Sequence, residues 1–291
     1  MVIGPKKSGF VLLVVLVVLA IAATVLAATA RRCGSRAMAA GEMAREIQLR
    51  WGTISLKNLC LNSAGSLLNS TTADDGPARR IGKSLDLGGV RFQLVIADEG
   101  AKANVNLLAA QKTIGDLEPA LMDLQADCRR VLPVVLRPVA PAGGRISALP
   151  MRYISLSQVL GFKHPAELID PQSQEPSASD RLTCWGNGLV NFKTAPRQIL
   201  RAVAGEVLSE GYIEKLRKLV AQKPTCSLAE AIKHLELNDD RAKKVRDLLT
   251  DRSSCFSLWV IADDGSRTWH RLYVRSSADT RNDREDWTFQ W

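Results

Sequence analysis

Residues 1–32 read MVIGPKKSGFVLLVVLVVLAIAATVLAATARR, and the fate of this stretch decides the fold. Residues 10–30 are 21 consecutive positions without a charge. A helix of that length, at about 1.5 Å per residue, spans about 30 Å, enough to cross a bilayer core. A cleaved secretory signal is the competing reading. It is suggested by Lys6 and Lys7 ahead of the run and by Ala28-Thr29-Ala30, which fits the small-residue pattern cut by signal peptidase. The apolar run exceeds the roughly 7–15 residues of such a signal, so the expectation is a retained spanning helix. A lipid-anchored chain is excluded because Cys33 follows Arg31 and Arg32 where small residues are needed. Lys6 and Lys7 hold the leader inside, while Arg31, Arg32 and Arg36 on the far side weaken the charge argument, so orientation rests on the leader.

At 291 residues, 46% of them hydrophobic, the chain has ample material for a core. The formal net charge is +9, and residues 1–9 carry only Lys6 and Lys7, so losing them leaves +7. No basic block is dense enough to mark a nucleic-acid site. Six cysteines (Cys33, Cys60, Cys128, Cys184, Cys226, Cys255) are scattered without a CxxC pair or a His at ligand spacing, which argues against zinc. Disulfides and buried free thiols both stay open.

Beyond Arg36 the residues Ala40, Met43, Ile47, Trp51 and Ile54 recur at three and four, predicting an apolar stripe on a helix that continues past the membrane. Residues 69–80 read as a polar loop. Val90, Phe92, Leu94 and Ile96 alternate with Arg91, Gln93 and Val95, predicting a half-buried strand closed by a solvated Asp98-Glu99-Gly100 turn. From Thr113, a candidate cap, Leu117, Leu121, Leu124, Cys128 and Val131 predict a helix ended by Pro133, Pro138 and Pro141. A short helical stretch is expected near Ser155, and a loop over 171–180. Thr194 before Pro196 reads as a helix start, Ser227 with Glu230 as a capping box, and Asn238 as the cap of a last helix carrying Val245, Leu248 and Leu249. Strands return at 256–262 and 268–275, joined at Asp263-Asp264-Gly265, a hairpin to which Trp259 and Trp269 contribute cross-strand pairs. The closing DWTFQW reads as an edge strand.

The Gly9-Phe10 junction, a short basic leader ending in Gly before Phe and an apolar run, resembles the class III signal of type IV pilins and type II secretion pseudopilins. That resemblance implies cleavage after Gly9 by a prepilin peptidase, methylation of Phe10, and retention of the helix. Most such subunits carry Glu at the fifth mature position; here it is Val14. An acid buried in hydrocarbon is tolerated only with a compensating partner, and its absence resembles the K-type minor pseudopilin. DEGAKANVN, with Asp98, Asn104 and Asn106, is similar to that family's Asp-rich turn and Asn-x-Asn. ISLSQVLG at 154–161 is similar to its Ser-x-Leu helix. LVNFKTAP, with Asn191, Thr194, Ala195 and Pro196, is similar to its Asn-x-Asn-Thr-Ala-Pro, with Lys193 in place of the second Asn.

The whole chain therefore resembles the type II secretion minor pseudopilin K family (GspK). The implied fold is α+β: a pilin-like long N-terminal helix packed on a small antiparallel sheet, with an inserted all-α (SAM-like/helical) domain. The implied divisions are a cytoplasmic prepilin leader at 1–9, a transmembrane helix at 10–30, a helix extension and first strands at 31–112, the inserted helical domain at 113–255, and closing antiparallel strands at 256–291. The resemblance further implies I- and J-type minor pseudopilins, prepilin peptidase and inner-membrane lipid as partners, and a periplasmic body acting as a non-catalytic tip or priming subunit. No nucleic acid or small-molecule substrate is expected. Calcium occurs in that family, but its ligands map onto no residues here, and no cofactor is assigned.

Three rival readings of the residues differ from this one. A minor pilin of a type IV pilus would keep the acid that Val14 replaces. A membrane-anchored helix-hairpin-helix DNA-binding protein is suggested by VNFKTAPRQIL, yet the connection AGEVLSEGYIEK lacks the Gly-rich turn that approaches phosphate and places Glu206 and Glu210 there. For an enzyme, His164, His234 and His270 lie in unrelated contexts and no nucleophile or phosphate-loop motif appears.

Overall fold

The computed structural model describes residues 8–73, 76–139, 153–173, 175–277 and 284–290. The leader charges Lys6 and Lys7, Pro141 and the closing Trp291 lie outside them. The chain divides into two units, Met1–Gly52 and Thr53–Trp291.

The first unit is helical from Ser8 onward, as part of helix α1, Ser8–Asn62. Its apolar run reaches a mean hydropathy of 3.2 and is exposed along its length, so this is a helix long and apolar enough to cross a membrane. The stripe expected to pack behaves differently. Met43, Ile47 and Trp51 are 64, 52 and 64% exposed. The buried face near the end of α1 is formed instead by Thr53, Leu56, Cys60 and Leu61, all in the second unit.

The second unit is built on a five-stranded antiparallel sheet: β1 (Arg80–Leu87), β2 (Val90–Asp98), β3 (Cys255–Asp263), β4 (Thr268–Ser277) and β5 (Arg284–Gln290), in the order β5-β4-β3-β2-β1. With α1 and the helices below, this is the α+β architecture expected, and β5 is an edge strand as read. The β1–β2 hairpin turns on Gly88 and Gly89, both at positive φ, which glycine adopts without strain. Central neighbours β2 and β3 are separated by residues 99–254, and Asp98 lies opposite Phe256, so the intervening segment leaves and returns at one end of the sheet.

The strand at 90–96 reads from its alternation as half-buried, but in the central strands β2 and β3 both faces are covered. One cross-strand row, Val95–Trp259–Leu272, belongs to a core shared with Leu108, Leu121, Leu182, Ile199, Leu216 and Val245 of the intervening segment. The alternate row, Ile96–Leu258–Tyr273, faces the other way, where α2 (Ala64–Ser70) packs on β2 and Lys57 of α1 lies over the Tyr273 ring. Alternation therefore gives way to an apolar run because both sides exclude water. Trp259 and Trp269 each contribute a cross-strand pair, with Leu272 and Ala262 respectively.

The intervening segment carries α3 (Val105–Gln111), α4 (Ile114–Asp123), α5 (Arg197–Ala204), α6 (Glu210–Gln222), α7 (Leu228–His234) and α8 (Asp239–Arg246). Several local expectations need correction. Thr113 does cap α4, accepting from the Asp116 N–H, but the helix stops at Asp123, ten residues before Pro133. The stretch near Ser155 forms 3₁₀ turns, Leu156–Gln158 and Pro165–Glu167, in place of an α-helix. Within 69–80, α2 extends to Ser70, Thr72–Ala73 pairs with Gly76–Pro77, and Arg80 already belongs to β1. The 171–180 loop ends in a helical turn, Ala178–Arg181. The cap at α5 is Pro196, not Thr194. The Ser227–Glu230 capping box forms as read, and Asn238 caps α8. Leu248 and Leu249 lie beyond that helix, with Leu249–Thr250 pairing Val190–Asn191 in parallel.

Candidate functional site

The polar positions singled out in the sequence converge where residues 99–254 leave and rejoin the sheet. Asp98 ends β2. Read as a solvated turn, Asp98 and Glu99 are in fact buried, 3 and 2% exposed. Asp98 Oδ1 accepts from the Gly100 N–H at 2.8 Å, and Oδ2 accepts from Thr194 Oγ1 at 2.7 Å and Ser253 Oγ at 2.6 Å. Thr194 precedes α5, and Ser253 lies two residues before β3, so one carboxylate ties together three segments of chain. This is why Thr194 does not cap α5: its hydroxyl is already given to Asp98. Gly100 is required by close approach, since a Cβ there would stand 2.9 Å from Ser253 Oγ.

Asn191 sits beside this group. Its Nδ2 donates to Ser253 Oγ at 2.8 Å, and its Oδ1 accepts from the Lys193 N–H at 3.1 Å. The Ala195 N–H donates to the Asn191 carbonyl at 2.9 Å, which sets the turn that delivers Pro196 to the start of α5. Asn104 caps α3 by accepting from the N–H groups of Asn106 and Leu107, and its Nδ2 donates to the Trp185 carbonyl at 2.8 Å. Asn106 accepts from the Tyr153 N–H at 2.9 Å and donates to the carbonyls of Tyr153 and Cys184 at 2.9 and 3.0 Å. Each asparagine side chain thus bonds backbone groups of the chain around it.

A second buried acid adjoins the first. Glu99 Oε1 accepts from Lys102 Nζ and from the Ser257 hydroxyl. Glu99 Oε2 is buried with no hydrogen-bond partner in the structure. Glu99 and Ser253 line a void of about 10 Å³ with Lys102, Asn104 and Trp185, about the space of one water. Lys102, Tyr153, Trp185, Ser253 and Ser257 carry no local signal in the sequence; Asp98 and Glu99 stand beside a glycine as a turn would, and nothing local marks them as buried.

Burial pushes the Asp98 carboxyl above the ordinary carboxylate range; its three hydrogen bonds pull the other way, and the neighbouring Glu99 charge adds to the rise. Burial likewise pushes the Cys184 and Cys255 thiols up. All six cysteines are free: Cys33 is exposed, Cys128 half-buried, and Cys60, Cys184, Cys226 and Cys255 buried.

Calcium takes about six to eight oxygen ligands. Among the described residues no three His, Cys, Asp or Glu side chains converge to hold a metal ion, and the Asp98 and Glu99 carboxylates are engaged by internal donors. The residues at this site do not fit calcium. The remaining sequence-marked positions, Gly9, Phe10 and Val14, lie in the apolar helix of the first unit, with Phe10 and Val14 exposed.

No family model matches the chain, and no curated protein matches it. Among solved structures, it is similar to a chain of the GspK-GspI-GspJ complex from the enterotoxigenic Escherichia coli type 2 secretion system, at 13% identity and a TM-score of 0.49, over 86% of this chain and 98% of that one.

Proposed function

We propose that the chain is a K-type minor pseudopilin of a type II secretion system. In this reading the leader is cut between Gly9 and Phe10, the helix is retained in the inner membrane, and the body stands in the periplasm. The protein works through contacts: it joins I- and J-type minor pseudopilins as a tip or priming subunit, with the segment between β2 and β3 as its inserted helical domain. The observation that carries the reading is the single helix Ser8–Asn62, which holds the charge-free run and continues into the folded body. Val14 supports the tip assignment, since a subunit without an acid in the hydrocarbon has no charge to offer a neighbour's amino terminus.

Intact mass of the membrane-extracted protein, with and without a co-expressed prepilin peptidase, tests this. Loss of residues 1–9 with the mass of one methyl group is expected, and Gly9→Leu is expected to block it. Cleavage after Ala30 instead would overturn the reading.

A further inference from the structure

Residues 99–254 join the sheet through a narrow neck. The chain leaves at Asp98 and returns at Cys255, and Asp98 lies opposite Phe256 on the adjacent strand. The side chain that closes this neck is a carboxylate, buried and held only by neutral donors: the Gly100 N–H and the hydroxyls of Thr194 and Ser253. The charged groups on the elements around it are Glu99 and Lys102 on the turn, Arg79 just before β1, Lys193 beside Thr194, and Asp251 and Arg252 beside Ser253. Lys102, the buried cation among them, is paired with Glu99, and among the described residues no cation bonds to Asp98.

We propose that Asp98 is a pH-sensitive clasp that closes the neck between the sheet and residues 99–254. An unpaired carboxylate charge is costly in a dry site, whereas a protonated carboxyl is not. The closed neck therefore favours protonated Asp98, and an opened neck, in which Asp98 meets water, favours the charged form. With the folded value raised, the clasp is firmest below the ordinary carboxylate range, and the stabilisation is lost as pH rises through the folded value. Local opening of this kind concerns the neck amides and leaves the shared core intact. The proposal does not depend on the proposed function and stands or falls by itself.

The test is amide hydrogen exchange on the full chain in detergent at about pH 5 and about pH 8, each rate corrected for its intrinsic pH dependence. Expected is a loss of protection at residues 98–102, 191–196 and 252–256 at the higher pH. Its size is about tenfold for each unit by which Asp98 titrates above its unfolded value. Asp98→Asn keeps the shape and can reorient the two hydroxyls, so it should flatten this dependence, while Glu99→Gln should leave it in place. A flat wild-type profile overturns the proposal, as does an Asp98→Asn chain with the wild-type slope, or a slope that disappears in Glu99→Gln. Should Asp98→Asn not fold, Thr194→Val with Ser253→Ala removes two donors that favour the charged form. The neck should then lose protection at a higher pH than in wild type, and an unchanged profile overturns the proposal.

Discussion

Arg275 grips Asp286 with two parallel hydrogen bonds, from Nε at 2.8 Å and Nη2 at 2.9 Å, across the β4–β5 pair. The same two residues reach the end of α1: Arg275 Nη1 donates to Asn62 at 2.6 Å, and Lys57 lies 3.0 Å from Asp286. One carboxylate thus joins the edge strand to the last turns of α1. Bidentate pairing of this kind resists the loss of fit that a lysine at position 275 would bring.

Asp286→Asn should lower the thermal stability of the full chain by about 1 kcal/mol, a figure reduced for solvent screening at a partly exposed pair. The Arg275 bonds hold the Asp286 carboxyl down at about 2. Its contribution is therefore present above the unfolded carboxylate value and is lost as pH falls toward about 2. Melting curves on wild type and variant should converge in that acid range; a constant gap would show that the pair is not the source.

Asn106→Ala removes three hydrogen bonds and leaves the Tyr153 N–H and the Tyr153 and Cys184 carbonyls buried without that partner. The expected cost is about 1–3 kcal/mol, the range for losing hydrogen bonds at a buried polar site. Denaturant unfolding of the variant checks this, and a loss under about 1 kcal/mol would mean that water replaces the side chain.

Thiol labelling of the native chain should modify Cys33 quickly and Cys128 slowly. Cys128 is half-buried, and burial pushes its thiol up to about 11. Cys60, Cys184, Cys226 and Cys255 should react only after unfolding. Mass spectrometry of timed alkylation reads the order, and early modification at Cys184 or Cys255 would contradict the burial described.

Trp51 is exposed beside Ile47 and Met43. Trp51→Ala should therefore change the melting temperature of the chain by no more than a surface substitution does, about 0.5 kcal/mol or less in stability. Under the proposed function it should weaken co-purification with I- and J-type subunits, because a bare tryptophan is the residue type that most often anchors an interface. Intact co-purification would remove this face from the assembly.

Much of the architecture is legible from neighbouring residues. A charge-free run of bilayer length, the strand-type runs of β2, β3 and β4, the Asp263–Gly265 turn, the Ser227–Glu230 box and the Asn238 cap all depend on side chains within a few positions of each other. Asp98 shows where that ends. Locally it stands in Asp-Glu-Gly, the composition of a wet turn, yet its hydroxyl donors come from 96 and 155 residues away. Asn104, Asn106, Asn191 and Thr194 were visible as a pattern, but the backbone groups and carboxylate they serve were not. The apolar stripe of Met43, Ile47 and Trp51 misled for a related reason: periodicity identifies a face and is silent about whether anything covers it.

By itself the amino-acid sequence determined the long apolar helix, the strand and helix types and most of the caps, since those follow from backbone preference and contacts within a turn or a hairpin. Only the tertiary structure decided that both faces of the central strands are covered, that all six thiols stay free, and that a carboxylate closes the neck of the intervening segment. Desolvation is the physical reason. The cost of burying a polar group, and the partner that offsets it, are set by distant segments brought together in the fold.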